Sequence, residues 1–146
     1  MKSFLNFKGS CMLVGTLLVL TSLSIFLNGI VVSMAGFNVP TTILHSSHYQ
    51  DAISWVYIHM ISIGILLILL GFAVKDVVLQ KWVSLVLFVI LLIYTILDFK
   101  TSDSALGNGL YKGDASLIPA IMSLLLCLIF LQVSIRLFTY SRGLPK

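Results

Sequence analysis

The sequence predicts an all-α, polytopic integral membrane protein: a bundle of four transmembrane helices with both termini in the cytoplasm. Three observations carry this expectation. Of 146 residues, 59% are hydrophobic and only 10% charged, far from the roughly one quarter charged that soluble domains carry. Four apolar runs, 11–34, 53–74, 77–97 and 117–138, each reach the ~20 residues a helix needs to cross a ~30 Å hydrocarbon core. Finally, Lys and Arg collect on alternate connections, the pattern of the positive-inside rule. The four runs use most of the chain, so residues 1–146 are expected to form a single membrane domain.

The first run carries Gly15, Thr16, Thr21, Ser22, Ser24, Asn28 and Gly29. Lipid supplies no hydrophobic force between helices, so small residues and Ser, Thr or Asn hydrogen bonds drive their association. This helix is therefore expected to be the most buried of the four. Lys2, Lys8 and the triplet Ser33-Met34-Ala35 also give it the outline of a secretory signal, but signal cores span only ~7–15 apolar residues. The run exceeds twenty, which favours an uncleaved first helix.

The second helix is expected to begin near residue 47, ahead of its apolar run. Ser47-His48-Tyr49-Gln50 has the capping-box form, a hydroxyl at the cap and an amide three residues on. Asp51 then falls in the first turn and complements the helix dipole. That start places His48, Asp51, Trp55, His59 and Ser62 on one face, at spacings of three, four, four and three. Gly64 and Gly71, one heptad apart, suit a close crossing against a neighbour.

Gln80 and Lys81 interrupt the start of the third run, and its unbroken part, 82–97, covers only ~24 Å as helix. Lys81 must snorkel to the headgroups, beside an interfacial Trp82. The fourth helix opens with Ser116 as cap and Pro119 in its first turn, where a missing N–H costs little. Between these two helices, residues 100–115 read as an exposed connector without a phosphate-loop, calcium-loop or zinc pattern. Cys11 and Cys127 lack CxxC spacing and read as small buried apolar residues.

Seven basic residues, Lys2, Lys8, Lys75, Lys81, Arg136, Arg142 and Lys146, share a side with the termini, against Lys100 and Lys112 on the other. The expectation is a multi-pass protein of the cell membrane with that side cytoplasmic. All three histidines and the acids Asp51, Asp98, Asp103 and Asp114 fall at or near the outer side, leaving Asp76 alone inside.

His59 is the leading candidate for a ligand or proton site, since ionisable groups within a membrane are rare and costly. The plainer reading is a structural hydrogen bond from a neutral imidazole to Asn28 or a Ser or Thr of the first helix. Trp55 is a further candidate on the same face, and His48 and Asp51, with Tyr94 and Asp98 from the outer end of the third helix, could ring a shallow outer pocket. His45, His48 and Asp51 are weak metal candidates, matching no compact ligand signature. Haem held by two histidines fails on geometry, because His48 and His59 share one helix ~16 Å apart. The chain has no Glu, which excludes the di-iron bundle pattern, and no particular cofactor is indicated.

Catalytic constellations are missing while polar residues suited to burial are present, so the leading reading is non-enzymatic: an accessory subunit or a self-associating bundle. Small-solute binding or transport along His59 and the first helix is the alternative, with a redox or quinone-associated pocket at the outer end of the second helix as a third. Partners are expected to be the bilayer and a membrane protein or further copies of the chain, not nucleic acid. The length and four-span layout resemble those of small bacterial integral membrane proteins, the DoxX-like group among them. That resemblance is general and carries no residue over.

Overall fold

The computed structural model describes residues 6–37, 39–102 and 118–142, and the described residues are helical almost throughout. The order is α1 (Phe7–Asn28), α2 (Ile30–Met34), a 3-10 turn (Ala35–Phe37), α3 (Thr41–Leu44), α4 (Ser47–Ala73), α5 (Val77–Ser102) and α6 (Ile118–Arg142). Four of these, α1, α4, α5 and α6, are long and apolar enough to cross a membrane. The connector 103–117, with Asp103, Asp114 and the expected Ser116 cap, lies outside the described residues.

Three of the long helices, α1, α4 and α5, start where a side chain takes over an orphan backbone donor. The Asn6 Oδ1 accepts from the Gly9 N–H at 2.7 Å and the Asp76 Oδ1 from the Leu79 N–H at 2.7 Å. The cap of α4 is Ser46, one residue before the serine expected from the capping-box pattern. Its Oγ accepts from the Tyr49 N–H at 3.3 Å and donates to the Ile43 carbonyl at 2.8 Å, tying α3 to α4. The shift moves Asp51 beyond the first turn, so no acid stands there. A second device recurs at both internal starts. Gln50 donates to the Leu44 carbonyl and Gln80 to the Val74 carbonyl, each spanning the bend between two helices. Because α5 begins at Val77, Gln80 and Lys81 lie inside its first turns and do not shorten it.

The first apolar run is not one helix. Gly29 takes φ +84° and ψ 141°, a region glycine reaches readily and other residues do not. The chain turns there, and the Ser33 hydroxyl bridges the break by donating to the Ile25 carbonyl at 3.5 Å. Beyond it, Met34, Val39 and Leu44 bury themselves against Ile25, Tyr49, Ile53 and Tyr57. Residues 30–37 and 39–44 thus form an apolar cap over one end of α1 and α4. We call this the distal end, and the end bearing Asn6, Asp76 and Arg142 the proximal end.

The long helices pack chiefly as two antiparallel pairs, α1 with α4 and α5 with α6, with a lighter contact between α1 and α6. In the first pair the backbones nearly touch. A Cβ built on Gly15 would stand 2.5 Å from the Gly64 carbonyl oxygen, and one on Gly64 would stand 2.7 Å from that of Gly15. One heptad on, Gly71 faces Cys11 and Lys8. The close crossing read from Gly64 and Gly71 is therefore present, with Gly15 as its partner. In the second pair Ala120, Cys127 and Ser134, again one heptad apart, are all buried on α6, and the Cys127 thiol lies 3.9 Å from the Phe88 carbonyl. Both cysteines are free and buried. The most buried long helix is α6, with α1 second, which corrects the ranking expected from α1's polar content.

A core of Phe7, Cys11 and Val14 from α1, Leu67 from α4, and Leu126, Phe130 and Val133 from α6 joins the pairs, with Val83, Leu87 and Leu91 of α5 against it. At the proximal end the Lys8 ammonium lies 4.2 Å from the Phe72 ring centre, and that of Lys81 lies 4.0 Å from Phe138 and 5.5 Å from Trp82. Both lysines thereby keep their stems along apolar surface while an aromatic face partners the charge.

Candidate functional site

The face of α4 opposite the Gly15–Gly64 crossing holds the candidate site. Gly64, Leu67 and Gly71 turn inward, and at about 100° per residue Ser62, His59 and Trp55, which are two, five and nine residues before Gly64, fall on the other side. His48, Asp51, Trp55, His59 and Ser62 are all exposed, Trp55 by 64%. The sequence rightly groups them on one face, but that face points away from the molecule's own helices.

His59 therefore does not bond to the first helix, as its plainer reading had it. Its Nδ1 lies 2.7 Å from the Trp55 carbonyl oxygen of its own helix. A carbonyl can only accept, so Nδ1 carries the hydrogen, and in the neutral ring Nε2 is left as a bare acceptor. The Trp55 and His59 rings lean together at 5.9 Å between centres with a 44° tilt. The Trp55 indole N–H finds no acceptor among the described residues. Ser62 satisfies its own hydroxyl by donating to the Ile58 carbonyl at 2.9 Å. Asn28, the expected partner of His59, instead donates to the Ser24 hydroxyl at 3.3 Å and is exposed.

His59 sits near the middle of a 27-residue helix about 40 Å long, some 20 Å from either end. The apolar run within α4 begins at Ile53, so Trp55 stands about 3 Å inside its distal edge, near the level where indoles usually collect, and His59 about 9 Å inside it. The result is a donor and an acceptor one turn apart, both turned outward.

The remaining candidates are dispersed. Tyr94 is exposed and Asp98 half-buried on α5, which scarcely touches α4 even though a three-residue turn joins them. Helix packing thus does not close the expected ring of Tyr94, Asp98, His48 and Asp51. His45 ends α3 and is exposed. Among the described residues no three His, Cys, Asp or Glu side chains are grouped so as to hold a metal ion, so His45, His48 and Asp51 are not gathered into a ligand set.

An open groove of about 400 Å³ runs between α5 and α6, lined by Leu85, Phe88, Leu131, Ile135 and Phe138 with Ser134 and Thr139. No titratable side chain lines it, so it offers surface to a hydrocarbon chain and no acid or base for catalysis.

Sequence reasoning missed two features of the packing. Small residues at 120, 127 and 134 repeat the heptad visible at Gly64 and Gly71, and that period was the available signal for the α5–α6 seam. The Ser10 and Ser22 hydroxyls are fully buried without a hydrogen-bond partner among the described residues; the polar content of the first run points to Ser22 as a packing residue, but nothing in the sequence points to Ser10 or to either hydroxyl being unpaired. No family model, curated protein or solved structure matches this chain.

Proposed function

We propose that this is a small, non-enzymatic, multi-pass protein of the cell membrane that works by lateral association with other protein in the bilayer, through the outward face of α4. One observation carries the reading: His59 stands mid-helix with Trp55 one turn before it, both outward, with an indole donor and an imidazole acceptor unmet. Hydrocarbon offers no hydrogen bonds, and each unsatisfied polar group there costs several kcal/mol. A protein neighbour removes that cost. The distribution of basic residues, seven against two, supports both termini being cytoplasmic, with the α3–α4 end outside.

Solute transport through one copy is disfavoured by the same geometry. A path needs polar groups at several depths facing a common axis, whereas the polar stripe of α4 faces outward. Mild detergent extraction followed by native electrophoresis tests the proposal. Wild type is expected to migrate as an assembly larger than one 16.1 kDa chain, and Trp55→Leu combined with His59→Leu is expected to release the single chain. Migration of wild type as a single chain, unchanged by the substitutions, contradicts it.

A further inference from the structure

We infer that the partner on this face is a second copy of the same chain, docked about a two-fold axis parallel to α4; the inference rests on the lateral-association reading. Copies inserted in one orientation bring their α4 helices together parallel. A two-fold contact is self-complementary, so whatever residue i presents to j, j presents to i.

The outward face of α4 meets that condition. Its unmet donor, the Trp55 indole N–H, and its unmet acceptor, His59 Nε2, stand one helical turn apart. Within one copy they do not meet, because His59 has turned its Nδ1 to the Trp55 carbonyl. Across a parallel two-fold contact the indole of each copy lies one turn above the imidazole of the other, and two reciprocal hydrogen bonds satisfy all four groups. The same arithmetic holds nearer the distal end. His48 and Asp51 are three residues apart, exposed, and without an ion-pair or hydrogen-bond partner among the described residues, and the two-fold sets each imidazole against the other copy's carboxylate. A different partner protein would have to supply this pattern independently; a second copy carries it already.

The spacing also suits a helix pair. Trp55, His59, Ser62, Leu66, Leu69 and Ala73 follow one another at intervals of four, three, four, three and four, and every one is exposed. That alternation is the seam of a left-handed helical pair. Its polar part occupies the distal half and its leucines the proximal half, so the contact runs the length of the helix.

Disulfide trapping in membranes tests this directly. Ser62→Cys lies on the seam, and Ile63→Cys lies one residue off it and is also exposed. The native Cys11 and Cys127 are 0% and 1% exposed, so wild type supplies a blank. Under mild oxidation Ser62→Cys is expected to give a covalent dimer and Ile63→Cys none. In an energy-transfer assay, Trp55→Phe and His59→Leu are each expected to weaken dimerisation about eightfold, two membrane hydrogen bonds at their usual strength. The double variant is expected to be no weaker than the single ones by more than about twofold, because both remove the same two bonds. Ser62→Cys that stays monomeric, equal trapping at Ile63→Cys, or unchanged affinity in both substitutions overturns the inference. Trapping of Ser62→Cys on a different protein overturns the second copy and leaves lateral association standing; a chain that is monomeric with α4 facing lipid overturns both.

Discussion

Replacing Gly15 by alanine probes the closest approach in the molecule. The added Cβ would stand 2.5 Å from the Gly64 carbonyl oxygen, 2.8 Å from the Ile68 Cγ1 and 3.2 Å from the Ile68 nitrogen. Ordinary contact begins at 3.4 Å, so α1 and α4 must separate by about 0.9 Å, because the main obstacle is backbone and no rotamer change relieves it. Overpacking of this kind costs about 1–3 kcal/mol, and the better helix propensity of alanine returns about 0.5–1 kcal/mol. The net expectation is a loss of about 0–2.5 kcal/mol, centred near ~1 kcal/mol. Gly71→Ala is the internal comparison. Its Cβ meets Cys11 Cβ at 3.0 Å and the Lys8 carbonyl at 3.2 Å, so a shift of a few tenths of an ångström suffices and the two terms roughly cancel. Reversible unfolding in mixed micelles measures both. Since one separation of the helices accommodates either methyl, Gly15→Ala with Gly64→Ala is expected to cost less than the sum of the two. Gly15→Ala no more harmful than Gly71→Ala, or strict additivity with Gly64→Ala, refutes this account of the crossing.

Three smaller predictions follow from the same geometry. Asp76→Ala removes the acceptor of the Leu79 N–H and is expected to cost about 1 kcal/mol in the unfolding assay, with Asp76→Asn retaining most of it. Ser22→Ala removes a fully buried, unpaired hydroxyl and is expected to be neutral or stabilising in the same assay, since no hydrogen bond is lost. Lys81→Met deletes the cation held 4.0 Å from the Phe138 ring and is expected to cost about 0.5–2 kcal/mol, while Lys81→Arg keeps the contact and most of the stability.

The helices were legible in the sequence because the signal was length and apolar content, and lipid demands both. Which faces pack was far less legible. A soluble helix shows its buried side by alternating with polar residues, but here the packed Leu67 and the exposed Leu66 and Leu69 are chemically alike. Small residues are the remaining guide, and they served at Gly64 and Gly71. Their spread along α1 misled, because Gly29 breaks the helix and Thr21 and Asn28 satisfy themselves locally. The cap slipped by one residue because Ser46 and Ser47 are adjacent and both fit a capping hydroxyl; Ser46 prevails by also bonding back to α3. His59 was found by its rarity at that depth, yet its outward aim was invisible, since polar groups in membrane helices usually face their own bundle.

The claim at the centre of this account is that protein, and not lipid, covers Trp55 and His59. The chain has two tryptophans, so Trp82→Phe leaves Trp55 as the sole indole, and Trp55→Phe leaves Trp82, 53% exposed, as the lipid-facing reference. With each variant purified in its native assembly and reconstituted with lipids brominated along the acyl chains, quenching of indole emission reports contact with lipid. Trp55 is expected to be quenched far less than Trp82; quenching of Trp55 equal to or greater than that of Trp82 contradicts the account.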